Sequence, residues 1–196
     1  MDPMADNPAP HANTRVGKDE WLRGAIDLIA EEGVGGLKVE PLARRLGITK
    51  GSFYWHFDDR ADLIAQALDL WLRLATLDVI ERLRPIVGPE ARLRALFTES
   101  FGELVDGPID ALLLAQVDDP IVGPVIQRAT AERVAFLEQT YLELGLSRLR
   151  AAARARLAYA AYVGTGQLAR VLPPDASPDG EAEAAFEREL EILLNP

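Results

Sequence analysis

The chain has 196 residues, no cysteine and two histidines, and its 21 Lys and Arg against 31 Asp and Glu leave a formal charge of −10. Without cysteine there is no disulfide framework, thiolate metal site or cysteine nucleophile, and His11 and His56 alone cannot furnish a His-rich metal site or a His-paired triad. The longest run without a charged residue, Leu157–Ala169, has 13 residues, short of the ~20 that a membrane-spanning helix needs. No basic segment followed by an apolar run opens the chain, so no secretory leader is expected. The composition reads as a soluble, cytoplasmic protein.

Residues 1–14, with Pro3, Asn7, Pro8, Pro10 and Asn13, read as a disordered tail. In Trp21–Glu32 the apolar residues Trp21, Leu22, Ala25, Ile26, Leu28 and Ile29 follow helical spacing, and Gly33, Gly35 and Gly36 end the element. A second, short helix begins near Val39. It tolerates Pro41 in its first turn, carries Leu42, Ala43 and Leu46 as an apolar stripe, and stops at Gly47. Thr49 is the expected N-cap of a third helix, Lys50–Phe57, in which Phe53 and Phe57 pin the element to Ile26, Ile29 and Leu42. Asp58 and Asp59 then open a fourth helix, where acidic side chains suit the helix dipole. It runs through Leu63, Ile64, Ala67, Leu68, Trp71, Leu72 and Ala75 to about Arg84, before Pro85. Proline and glycine breaks cut the remainder into five more helices, about 90–106, 109–117, 121–144, 147–171 and 180–194. No alternating β-branched segment is present, so the fold class is all-α, with about nine helices.

Charge is unevenly placed. Residues 15–60 hold eight basic and eight acidic side chains, whereas residues 61–196 hold 13 basic and 21 acidic. Lys38, Arg44, Arg45, Lys50 and Arg60 make the most positive stretch, against Glu40, Asp58 and Asp59. Such an asymmetry suits a small binding head on a body with another task. Three short helices with a glycine turn between the second and third suggest a helix-turn-helix. Lys50 supplies charge for phosphate or guanine, Gly51 permits close backbone approach, and Ser52 can bond a base edge or phosphate. Tyr54 and His56 offer polar tips on rigid bodies. Read from composition alone, the same stretch is equally an aromatic-rich core helix.

The run Val39-Glu40-Pro41-Leu42-Ala43-Arg44-Arg45-Leu46-Gly47-Ile48-Thr49-Lys50-Gly51-Ser52-Phe53-Tyr54-Trp55-His56-Phe57 resembles the TetR family of bacterial transcriptional regulators. Its marks are Leu-Ala in the second helix, Leu-Gly-Ile-Thr at the turn, then Gly, Tyr-x-His-Phe, Arg60 and Leu63. The resemblance covers about residues 18–64. It implies a helix-turn-helix DNA-binding head over 15–64 (motif about 38–57) and a ligand-binding and dimerisation body over 65–196. It further implies a homodimer that binds a palindromic double-stranded operator, most simply a repressor released from DNA by a small, largely apolar effector. An alternative is control by a protein partner, or without a ligand. Carried over position by position, the DNA contacts fall on Lys38, Val39, Lys50, Gly51, Ser52, Tyr54, Trp55, His56 and Arg60, the last matching a phosphate-binding Lys of the family. Two departures stand out: Val39 replaces a helix-capping Thr or Ser, and Asp58 and Asp59 would repel a nearby phosphate.

No catalytic residues, cofactor, metal or membrane partner are expected. Neither HExxH nor GxSxG occurs. Gly164-Thr165-Gly166-Gln167-Leu168-Ala169 fits G-x-G-x-x-A, but that pattern needs a preceding strand, and Arg154–Val163 reads as helix, so close helix packing is the better account of these glycines. Asp118 and Asp119 before Pro120 read as a helix stop and cap rather than metal ligands. A ligand pocket between body helices has as candidates Trp71, Leu74, Phe97, Phe101, Leu104, Leu113, Gln116, Val117, Phe136, Tyr159, Tyr162 and Gln167, each also a plausible core residue. The acidic body favours neutral or cationic compounds over anions. The dimer interface is assigned to the last two long helices. In 147–171, Leu157, Ala161 and Leu168 line one side, with Gly164 allowing close approach. In 180–194, Phe186, Leu190, Leu193 and Leu194 form a stripe. Four such helices would close a two-fold interface.

Overall fold

A computed structural model describes residues 17–102 (the backbone alone at 101 and 102), 109–168, 171, 191 and 192. Among these residues the fold is all helical: α1 Lys18–Gly36, α2 Val39–Arg45, α3 Lys50–Phe53, α4 Arg60–Leu72, a π-helical turn Arg73–Leu77, α5 Asp78–Leu83, α6 Pro89–Gly102, α7 Ile109–Leu114, α8 Val122–Glu143 and α9 Arg148–Leu168. The helix expected over 180–194 lies outside the described residues apart from Glu191 and Ile192, and so does the tail.

The first three helices and α4 close on one apolar centre. Trp21 is fully buried, its ring edge-on to Phe53 at 5.5 Å and to Phe57 at 6.3 Å. Phe53 and Phe57 therefore anchor on Trp21, a partner that helical spacing alone did not single out. Gly33 has φ +74° and interrupts α1, where the sequence placed the stop. Gly47 has φ +70° and turns the chain between α2 and α3, a backbone conformation in which a Cβ would be strained.

α3 is shorter than expected. Regular helix ends at Phe53, and Trp55 and His56 donate their N–H groups only three residues back, to Ser52 and Phe53. This tighter winding replaces the expected continuation to Phe57. Thr49 holds the N-cap backbone position, but its hydroxyl makes no cap bond; the Ser52 hydroxyl instead donates to the Thr49 carbonyl at 2.8 Å. Asp59 caps α4 by accepting from the Asp62 N–H at 2.8 Å, so its carboxylate is engaged with its own helix.

From Arg60 to Leu83 the chain is one rod, α4 continuing through the π turn into α5. The rod's first half packs in the head and its second half in the body. α8 and α9 form the long pair of the body, joined at Gly145. Ala151, Ala155 and Ala158 on α9 are buried against Leu137 and Tyr141 of α8 and Leu93 and Phe97 of α6. The expected cap at 118–120 is present: the Asp119 carboxylate accepts from the Ile121 and Val122 N–H groups at 2.8 and 3.0 Å, at the start of α8. Gly164 and Gly166 lie inside α9 with no strand before them. Gly166 is buried, but a Cβ on Gly164 would meet nothing within 4 Å. Packing among the described residues therefore does not account for Gly164.

Candidate functional site

The head presents an exposed face built by α2, the turn and α3. Tyr54 and Trp55 are 63% and 86% exposed. Large aromatics in a core helix would be covered, so the core reading of this stretch does not hold for these two positions. Phe53 and Phe57 take the core side and Tyr54 and Trp55 the solvent side. Lys38, Lys50 and Gly51 are exposed, and Ser52 and His56 are half-buried beside them. Val39 is half-buried and packs on the head's core, so it offers at most its backbone to this face.

The basic side chains here are largely engaged in the free protein. Lys50 donates to Glu40 at 2.7 Å. That hydrogen bond holds the ammonium above its usual range and the Glu40 carboxyl below its own. Arg45 makes a two-pronged pair with Glu31 of α1 at 2.5 and 2.6 Å. Arg60 is engaged too: its Nε donates to the Leu37 carbonyl and its Nη2 to the Val34 carbonyl, both at 2.6 Å. The guanidinium thus closes over the C-terminal end of α1, adding a donor to the Val34 carbonyl and one to the C-cap residue Leu37. Lys38 and Arg44 are the cations of this face with no ion pair among the described residues.

The body holds a cavity of about 360 Å³ between α1, the rod, α6, α7, α8 and α9. Of the residues singled out from sequence, Trp71, Phe97, Phe136, Tyr159 and Tyr162 line it. Leu74 and Val117 are instead exposed, at 38% and 40%, and Leu113 is fully buried in the head-proximal core. Gln116 turns back on its own helix, donating to the Leu112 carbonyl at 3.2 Å, and Gln167 is exposed at the end of α9. Apolarity and helical period select such residues equally, but only the rotation of each helix decides which face the void. The Phe101 side chain and Leu104 lie outside the described residues.

Sequence reasoning missed the polar group on the cavity wall. Arg133 of α8 donates from Nη1 to Asp110 at 2.5 Å, from Nε to the Thr76 hydroxyl at 2.9 Å and from Nη2 to the Ala75 carbonyl at 3.1 Å. The Tyr162 hydroxyl donates to the other Asp110 oxygen at 2.9 Å. The guanidinium lies 5.5 Å from the Trp71 ring and 5.9 Å from the Tyr162 ring. Burial opposes the Arg133 charge, but the Asp110 carboxylate together with Tyr162 and Tyr159 holds the guanidinium above its usual range. Burial, reinforced by the same carboxylate, pushes the Tyr162 phenol up, so Tyr162 stays a neutral donor. Tyr159 shares a hydrogen bond with Thr130 at 3.1 Å. A charge in each of two helices separated by more than twenty residues carries no local signal of pairing. Arg133 and Asp110 could be found only once the helices were packed.

On the α9 side, Leu149, Leu157 and Leu168 are 80%, 63% and 53% exposed. Ala161 and Gly164 are half-buried. Phe186, Leu190, Leu193 and Leu194 lie outside the described residues. Ile192 is described and exposed, and its carbonyl accepts from Arg154 of α9.

A short helix with exposed aromatics, set across a glycine turn from a supporting helix and mounted on a helical body, is the arrangement of a helix-turn-helix transcriptional regulator. Residues 22–67 match the model of the bacterial regulatory proteins of the tetR family. The chain is 38% identical over 58 residues to the tetracycline repressor class A from transposon 1721 of Escherichia coli, covering 28% of this chain and 27% of that protein. It is 31% identical over 118 residues to the transcriptional repressor KstR2 of Rhodococcus jostii, covering 58% and 55%. The matched stretches thus span about a quarter and about half of these relatives. In fold the likeness extends further. The structure of AibR in complex with isovaleryl coenzyme A and operator DNA covers 91% of this chain and 98% of that chain, with a TM-score of 0.68 and 20% identity. The N-terminal head is thus similar to the DNA-binding module of the tetR family of bacterial regulatory proteins. No described helix is long and apolar enough to cross a membrane.

Proposed function

We propose that this protein is a cytoplasmic, homodimeric repressor that binds a palindromic operator and leaves it when a small molecule enters the body cavity. The observation that carries the DNA-binding part is the outward pair Tyr54 and Trp55 beside Lys50 and Gly51. Lys38, exposed and outside any ion pair among the described residues, flanks them. The relative solved with operator DNA and a coenzyme A ester supports a head and body of this kind. Lys50 must exchange Glu40 for phosphate or base, which tempers affinity for arbitrary DNA.

The purified protein should bind a palindromic segment upstream of its own gene, with affinity falling as salt rises. Lys50→Ala and Tyr54→Ala should each weaken that binding at least tenfold with helicity unchanged, measured by fluorescence anisotropy and circular dichroism. Unchanged affinity in both would remove this helix from the groove.

The exposed leucines of α9 support a second copy on that face. Leu157→Asp would place an unpaired charge in a desolvated helix interface, so the variant should elute as a monomer and lose operator affinity. A variant that stays dimeric in sedimentation would move the interface elsewhere.

The cavity supports a ligand over a protein partner, since a body serving only as a docking platform has no use for a void with polar groups. Its walls include Ile26 and Ala30 of α1 and Ala75 and Thr76 of the π turn. A molecule there touches the head's first helix and the rod on which the head is mounted. Two heads must match half-sites roughly 34–36 Å apart, or a multiple, so a tilt of either rod by a few degrees mismatches the grooves. A ligand shifts this balance only by its affinity difference between the two states, typically ~1–3 kcal/mol.

A further inference from the structure

We infer that the cavity selects an uncharged, aromatic-sized molecule carrying a hydrogen-bond acceptor, such as a ketone or ester, and that Arg133 is the residue that reads the acceptor. The inference rests on the ligand-controlled reading and makes its chemistry specific. Trp71, Phe97, Phe136, Tyr159 and Tyr162 all line the void, so its walls offer flat, polarisable faces to a ring. At about 360 Å³ it falls in the range of small-molecule sites, ~300–1,000 Å³.

Charge decides the rest. A guanidinium has five N–H donors. Three of those on Arg133 go to Asp110, Thr76 and Ala75, which leaves two without a partner among the described residues on a side chain that lines the void. Its positive charge, however, is already matched by Asp110, itself only 4% exposed. A ligand carboxylate would have to share Arg133 with that buried carboxylate or displace it, leaving an unpaired charge inside the body. The other acid on the wall, Glu99, is paired with Arg82 and adds no attraction for an anion. A neutral acceptor needs no such exchange. It takes the spare N–H groups as they stand, and a hydrogen bond from a charged donor is the stronger kind.

Four matched probes test this on the full-length dimer by calorimetry: 2-acetylnaphthalene, methyl 2-naphthoate, 2-naphthoate and 2-ethylnaphthalene. The ketone and ester should bind. The hydrocarbon should bind about tenfold more weakly, the loss expected when one charged hydrogen bond goes, and the carboxylate at least as weakly as the hydrocarbon. Arg133→Lys should erase the preference for ketone over hydrocarbon. Asp110→Asn, which frees the Arg133 charge, should reverse the ranking so that naphthoate binds better than the ketone and raises Tm more in this variant than in the wild type. If either variant fails to fold, the wild-type ranking still decides. The inference is overturned if naphthoate outbinds the ketone in the wild type, if hydrocarbon and ketone bind equally, or if none of the four binds. The predicted ranking with unchanged operator affinity would uphold the ligand class and overturn ligand control of DNA binding.

Discussion

Trp21→Ala should be among the most damaging single changes in the head. Trp21 has no exposed surface and touches Phe53 and Phe57 edge-on, so it fills the space on which the recognition segment rests. Removing a buried Trp costs about 3–5 kcal/mol, a large share of the stability of any domain of this size. The expected result is a markedly lower Tm and loss of operator binding, since Tyr54 and Trp55 keep their outward positions only while Phe53 and Phe57 are held inward. Trp21→Phe should cost much less. It retains an aromatic ring and removes an indole N–H that is buried with no hydrogen-bond partner among the described residues. Thermal unfolding with operator binding on the same samples checks both variants. Full stability in Trp21→Ala would mean that α3 is positioned by something other than this aromatic cluster.

Asp110→Ala should destabilise the body on a similar scale, by a different mechanism. The carboxylate matches the charge of Arg133, whose side chain is only 14% exposed, and accepts from Tyr162. Deleting it leaves the Arg133 cation without its counter-charge and removes an acceptor of the Tyr162 hydroxyl. Breaking one side of a buried ion pair costs about 3–5 kcal/mol. Arg133→Met with Asp110→Leu, which removes both charges together, should recover much of that loss, because the penalty comes from the orphaned partner rather than from the absent attraction. Chemical denaturation of the two variants beside the wild type measures it. Arg133 also holds Ala75 and Thr76 of the π turn, so Asp110→Ala should alter how the rod carries the head. Its operator affinity should fall further than its loss of stability explains. An Asp110→Ala protein as stable as the wild type would show that the guanidinium reaches water and is not part of a closed network.

Local sequence determined much of this protein by itself. The helices of the head follow from apolar spacing and from Gly33 and Gly47, whose positive φ values end α1 and turn α2 into α3. Those signals lie within a few residues of the structure they cause. The same holds for Asp59 and Asp119, which cap the helices they precede, and for the Tyr-x-His-Phe run that points to a DNA-binding head. What lay beyond local sequence depends on how helices far apart in the chain rotate against one another. Helical period placed Leu113 and Phe97 equally well as pocket residues, yet packing buries one in the core and sets the other on the cavity. Arg60 reads as a phosphate contact from its position in the motif. Its guanidinium is turned to the end of α1 because the fold brings the Val34 and Leu37 carbonyls within 2.6 Å. The π turn at Arg73–Leu77 and the Arg133–Asp110–Tyr162 network have no sequence signature at all. The network exists because α7, α8 and α9 meet at one point, and a buried charge there persists only where a partner from another helix is brought to it.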